Sequence, residues 1–242
     1  MGEHQDPVEK QLSGIAEGFE AQELRKLGFW QRVIPFFRGK PDIASPEDIR
    51  GYLDQRAAYL LQKHIYEYTR SRAGALWQQL LSETDFKEAL ENSKWQSLPI
   101  TLDYVGEVMM IYLRKKTRAD AQDIAGLLGH SIRSIMVSYE GRTTVPEKEW
   151  AQAALTSSQR LRTAAIIPSR SLSDIPHSQF AEFFEKLPKH KKLYPHDELI
   201  FLGDFRNNLQ AIHDEFKWRS YAKAIEHHAK VLRNHSPDPD EG

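Results

Sequence analysis

The stretch SPEDIRGYLDQRAAYLLQKHIYEYTRSR, residues 45–72, decides the fold because it predicts one long helix that can form the spine of a domain. Ser45 suits the N-cap and Pro46 suits the first helical position, where its missing N–H costs nothing. Gly74 supplies the stop signal. Apolar positions recur at helical spacing and make one face, which comprises Ile49, Leu53, Ala57, Leu60, Leu61, His64, Ile65 and Tyr68.

A second face of the spine carries Tyr52, Tyr59 and Tyr66, one every seven residues. Basic residues run beside these rings, namely Arg56, Lys63 and Arg70. Two interpretations stay open. The basic stems and tyrosine rings can cover a neighbouring helix as a second packing seam, or the basic groups can form an anion strip for phosphate or lipid headgroups.

Residues 47–113, with Gln55-Arg56, Gln62-Lys63 and Arg72 among the matching positions, resemble a group of uncharacterised conserved alphaproteobacterial proteins. The resemblance implies a bacterial, cytoplasmic setting, and it implies no activity.

Composition supports an ordinary globular protein, with 40% hydrophobic and 28% charged residues. The formal net charge of −1 does not point to nucleic acid or to a membrane as a partner. The absence of cysteine excludes disulfide scaffolds, zinc fingers and thiol nucleophiles. The start of the chain lacks the regions of a secretory signal, and no run approaches the roughly 18 apolar residues of a membrane span. We therefore expect a cytoplasmic protein with no cofactor and no metal, and peripheral attachment to the inner membrane is the alternative.

Beyond the spine the patterns predict helices only, so the fold class is an all-α bundle of about eight to ten helices with no sheet. Two short helices are expected at 75–81 and 85–92, and a central helix at 100–116 is expected to begin after Pro99. Further helices are expected at 15–27, 119–139, 146–165, 177–187, 197–217 and 218–234. The expected domain organisation is a disordered start (1–14), a main domain (15–167), a linker (168–176), C-terminal helices packed on the main domain (177–234) and a disordered tail (235–242).

Residues 24–40 interleave aromatic and basic side chains, a composition that suits an interfacial membrane anchor or a partner groove. Strapping of these aromatics onto the protein's own core is the alternative. The candidate contact residues are Phe29, Trp30, Arg32, Phe36, Phe37 and Arg38.

Residues 123–139 resemble a helix-turn-helix in which Gly129 makes the turn and Ser131 opens a recognition helix. The alternative is a helix contact made by small residues. In the preceding helix, Asp103 and Glu107 share one edge, which favours a solvated or arginine-paired edge over an acid/base pair.

Arg206, Asn207 and His213 resemble the signature of HEPN domains, all-α modules that often act as metal-independent ribonucleases. Arg206 and His213 lie seven apart on one helix face, so an arginine clamp and a histidine acid or base could flank a phosphodiester. The leading prediction is nevertheless a non-enzymatic protein that binds a protein partner or membrane surface through basic and aromatic side chains. A HEPN-like ribonuclease is the runner-up, and a DNA-binding module is third. A homodimer is also open, and nucleic acid is not favoured as the partner.

Overall fold

The computed structural model describes residues 43, 45–168, 171–175 and 178–215, which all lie in one compact unit. All regular structure in these ranges is helical, which confirms the all-α prediction. In chain order the helices are α1 (Pro46–Leu61), a π-helical segment (Gln62–Glu67), α2 (Tyr68–Ala73), α3 (Trp77–Ser82), α4 (Thr84–Lys116), α5 (Ala121–Ser138), α6 (Glu147–Ile166), α7 (Ser178–Glu185) and α8 (Glu198–Glu215). Short 3₁₀ turns lie at Gly74–Leu76 and Leu172–Asp174.

The spine begins and ends where its sequence signals place it. Ser45 and Asp48 form a capping box, in which the Asp48 N–H donates to Ser45 Oγ over 3.2 Å and the Ser45 N–H donates to Asp48 Oδ2 over 2.9 Å. Gly74 ends α2 with a positive φ of 52°, a conformation that glycine adopts without a Cβ clash. All eight residues of the predicted apolar face are buried. The one departure is the π-helical segment within the predicted helix, which contains the buried residues His64 and Ile65.

The prediction of separate helices on either side of Pro99 is wrong, because α4 runs unbroken for 33 residues with Pro99 inside it. A proline removes one backbone donor from a helix. Here the surrounding turns are stabilised by burial, since every residue from Ser97 to Ile111 is buried. The central placement of this helix was expected, and α4 contacts α1, α3, α5, α6, α7 and α8.

The helix-turn-helix prediction is also wrong, because α5 continues through Gly129 without a turn. Gly129 instead lies against α6, where a Cβ added to it would stand 3.4 Å from Ser158 Oγ and 3.5 Å from Ser158 Cα. Gly129 therefore lies in the contact between two helices, which agrees with the small-residue contact that the sequence left as the alternative. The break comes later, at Gly141, which has a φ of +75°.

The C-terminal helices α7 and α8 close one side of the core with aromatic rings. Phe183 and Phe201 stand 5.5 Å apart between ring centroids, as do Phe183 and Phe205. Both Phe201 and Phe205 also contact the His64 ring, at 5.1 and 4.9 Å. The cluster ties α7 and α8 to the spine. The predicted linker before α7 includes a buried residue, Ile175, which is 7% exposed.

Candidate functional site

The basic face of the spine is covered by α8 at Arg56. The Arg56 side chain is 1% exposed, pairs with Glu215 over 2.7 Å and lies 4.9 Å from the centroid of the Tyr52 ring. The anion-strip prediction is therefore wrong for Arg56, because its guanidinium is enclosed and paired within the fold. Lys63 pairs with Glu67 over 2.8 Å, and Arg70 is half-buried.

Two of the three heptad tyrosines contact α8, as the packing-seam interpretation expects. The Tyr52 hydroxyl donates to the Ile212 carbonyl over 3.2 Å, and the Tyr59 hydroxyl donates to Asn208 Oδ1 over 2.7 Å. Burial raises the pKa of both phenols to about 12, so they remain hydrogen-bond donors at neutral pH. Tyr66 packs instead against the Trp77 ring.

The Arg206, Asn207 and His213 signature lies on the outer side of α8, next to the buried stripe that anchors this helix. Arg206 and Asn207 are exposed, and the His213 side chain is 24% exposed. His213 Nδ1 lies 3.1 Å from Asp214 Oδ1, and its ring packs on Tyr112. At about 1.5 Å per residue, Arg206 and His213 are separated by roughly 10 Å along the helix axis. Both groups are accessible to a ligand. A ligand must span two helical turns to contact both of them at once.

The Asp103 carboxyl is enclosed in the core. It is 1% exposed, and its Oδ2 accepts from Arg160 Nη1 over 3.0 Å. Burial raises its pKa to about 6 against the opposing effect of the Arg160 guanidinium. Asp103 Oδ1 and Ser157 Oγ are both buried, and neither makes a hydrogen bond of good geometry with a described residue. The expected arginine pairing is thus confirmed for Asp103, and the enclosed carboxyl acts as a packed ion-pair partner between α4 and α6.

His64 is a second titratable group inside the fold, and the sequence marked it only as part of the apolar face. Burial lowers its pKa to about 3, so the ring is neutral near pH 7. Its Nε2 lies 3.4 Å from Asn208 Nδ2, and its other described ring contacts are with phenylalanines. The position of His64 supports a role in joining the spine to α8.

A basic and apolar surface lies between α7 and the first turn of α8. We call it the 189–200 surface; its members are Lys189, Lys191, Tyr194, Leu199 and Ile200. Both lysines are exposed, and Tyr194, Leu199 and Ile200 are 71%, 80% and 54% exposed. Sequence reasoning did not single it out, although the run Lys189-His-Lys-Lys-Leu-Tyr194 carries the same basic and aromatic signal as residues 24–40.

The six contact residues predicted in the segment 24–40 lie outside the described residues. Among the residues that the structure does describe, no group of three or more His, Asp or Glu side chains could hold a metal ion. No described helix combines the length and the apolar character that crossing a bilayer requires. Comparison with protein-family models, curated proteins and solved structures finds no match to this chain, so neither resemblance noted above is tested by them.

Proposed function

We propose that this protein is a non-enzymatic, cytoplasmic helical protein that binds a protein partner or a membrane surface through basic and aromatic side chains. The observation that carries the proposal is the 189–200 surface, a single stretch of chain in which three large apolar side chains and two lysines are exposed. Contiguous apolar exposure rimmed by polar groups is typical of an interaction site.

Two titratable groups of the core have shifted pKa values that structural packing explains, so these shifts do not point to an active site. Asp103, whose pKa is raised, and His64, whose pKa is lowered, are both buried against packed side chains. Perturbed pKa values also arise in structural ion pairs and in apolar packing. These two groups are accounted for by the packing of α4 with α6 and of the spine with α8.

The proposal is tested in the cells that produce the protein. Full-length protein is crosslinked in living cells and compared with Tyr194→Asp, which places a charge in the 189–200 surface. Leu155→Asp is the matched control, because Leu155 is 50% exposed on α6. We expect the wild type and the control to migrate with a larger assembly or a membrane fraction and Tyr194→Asp to be released. Recovery of the wild type alone, at the 28.0 kDa of its own chain, would contradict the proposal.

A HEPN-like ribonuclease is the second candidate, and the observation in its favour is the accessibility of Arg206, Asn207 and His213 on one helix. The purified protein would then cut single-stranded RNA in the presence of EDTA, because neither the arginine nor the histidine needs a metal. His213→Ala would remove the proton-transfer group and Arg206→Ala the phosphate clamp. Cleavage that persists in both variants would assign the activity to a contaminant.

A further inference from the structure

The strongest unassigned feature of the molecule is the 189–200 surface, and its chemistry identifies a partner class. We infer that it docks onto an anionic lipid bilayer, with Tyr194, Leu199 and Ile200 entering the interfacial region and Lys189 and Lys191 contacting acidic headgroups. This inference rests on the proposed function and names the partner that the proposal leaves open.

The backbone that carries the exposed side chains is fixed by contacts with the spine. The Tyr194 N–H donates to the Arg72 carbonyl over 3.3 Å, and the Asp197 N–H donates to the Tyr68 hydroxyl over 2.9 Å. The His196 ring stacks on Tyr68, with 5.4 Å between centroids, and its Nε2 lies 3.0 Å from the Pro188 carbonyl oxygen. These contacts therefore hold the backbone in the conformation that exposes Tyr194 and the start of α8.

The charges around these side chains suit an acidic surface. Lys192 pairs with Glu83 over 2.6 Å, whereas Lys189 and Lys191 form no ion pair with a described residue. Of the nearby acids, Asp197 caps α8 by accepting from the Ile200 N–H over 3.0 Å. Glu198 is exposed in the first turn of the same helix, and it partly offsets the two lysines.

A bilayer fits this arrangement better than a protein partner does. A stable protein interface buries about 1,000 Å² or more with complementary packing, whereas five side chains on a loop and one helical turn offer a small area. An interface between water and lipid takes a tyrosine ring at the headgroup level and aliphatic side chains at the acyl boundary without demanding a matched shape. Each lysine near an anionic leaflet strengthens binding roughly fivefold.

The first experimental arm tests charge. Full-length protein is sedimented with phosphatidylcholine vesicles made with and without phosphatidylserine, at low and high salt. We expect binding only to the vesicles that contain phosphatidylserine, and weaker binding at high salt. The double variant Lys189→Gln/Lys191→Gln should reduce the partition coefficient roughly thirtyfold. The matched control Lys87→Gln/Lys148→Gln removes two exposed lysines elsewhere and should bind nearly as the wild type does.

The second arm tests the apolar contribution. Leu199→Ser/Ile200→Ser should abolish sedimentation with phosphatidylserine vesicles, while Val137→Ser/Leu155→Ser, which removes exposed apolar side chains from α5 and α6, should not. Circular dichroism and size-exclusion chromatography of all variants establish that they are folded and of unchanged size.

Three results would overturn the inference. Vesicle binding that is equal in the wild type and both surface variants would assign the lipid contact to another part of the chain and leave the proposed function intact. Lack of vesicle binding, combined with release of Tyr194→Asp from a cellular assembly, would assign the surface to a protein and again leave the proposed function intact. A change in oligomeric state in the surface variants, without vesicle binding by the wild type, would assign the surface to a second copy of the chain.

Discussion

Replacing His64 by leucine removes a neutral histidine from the core, and the effect on stability should depend on pH. The pKa of His64 is lowered from 6.5 to about 3 by its burial. As pH falls below 6.5, the unfolded chain takes up a proton at this position while the native protein does not, so the native state loses stability. The loss from this one group is about 2 kcal/mol between pH 7 and pH 5, and it continues at about 1.4 kcal/mol per pH unit until pH approaches 3.

Leucine is a suitable replacement because it does not titrate and leaves no strong hydrogen bond unmade. Asn208 Nδ2 keeps its bond of 2.8 Å to the Asp204 carbonyl when the weak contact with His64 at 3.4 Å is lost. The change of shape against the phenylalanine rings adds a packing cost that does not vary with pH. The test is therefore the difference between wild type and His64→Leu as a function of pH.

Urea unfolding followed by the fluorescence of the five tryptophans measures this difference. We expect the wild type to lose about 2 kcal/mol relative to His64→Leu from pH 7 to pH 5. Asp103→Asn is the control of opposite sign, because burial raises the pKa of Asp103 from 3.8 to about 6. Its native carboxyl takes up a proton first, so the wild type should gain roughly 1 kcal/mol relative to Asp103→Asn over the same interval. Parallel pH profiles of the wild type and His64→Leu would refute the placement of this histidine in the core.

Further predictions concern packing. Leu61→Ala should lower the free energy of unfolding by about 2–5 kcal/mol because Leu61 is fully buried, whereas Leu155→Ala on the surface should change it by less than about 0.5 kcal/mol; urea midpoints compare the two. Gly129→Ala should be tolerated in thermal melts because its Cβ meets Ser158 at ordinary contact distance, whereas Gly129→Leu should cost about 1–3 kcal/mol by forcing α5 and α6 apart. A severe loss in Gly129→Ala would contradict the continuous α5.

Local signals predicted the spine correctly because they act within a few residues. The capping box at Ser45 and Asp48 and the positive φ of Gly74 depend on the chain next to them and need no tertiary partner. The burial of the apolar face follows from its helical period, which is also local. The ends of α5 and α6 were found to within a few residues for the same reason.

Features set by tertiary packing could not be read in this way. Pro99 looks like a helix boundary in the sequence, and only the burial of α4 on most sides keeps the helix continuous through it. Gly129 has the same signature whether it makes a turn or a close helix contact, and the position of Ser158 on α6 decides between them. The π-helical segment has no sequence signal that we can name.

The exposure of the candidate site residues is likewise set by tertiary packing rather than by local sequence signals. Arg56 and Lys63 occupy equivalent positions in the heptad, and only the course of α8 makes one of them a buried partner of Glu215. Leu199 and Ile200 begin an apolar run in which Phe201 is fully buried, so composition alone assigns all three to the core. Their exposure depends on how the first turn of α8 is rotated, which the contacts of Phe201 determine.

The spine therefore sets both the interior and the proposed docking surface. Its π-helical segment carries His64 against Phe201 and Phe205, which fixes the rotation of α8. One turn later, the Tyr68 hydroxyl accepts from the Asp197 N–H and donates to the Asp197 carbonyl over 3.2 Å, which fixes where α8 begins. Because Phe201 must face His64, the preceding Leu199 and Ile200 are turned away from it and toward solvent. The same packing that neutralises a histidine in the core thus presents two aliphatic side chains beside the exposed lysines.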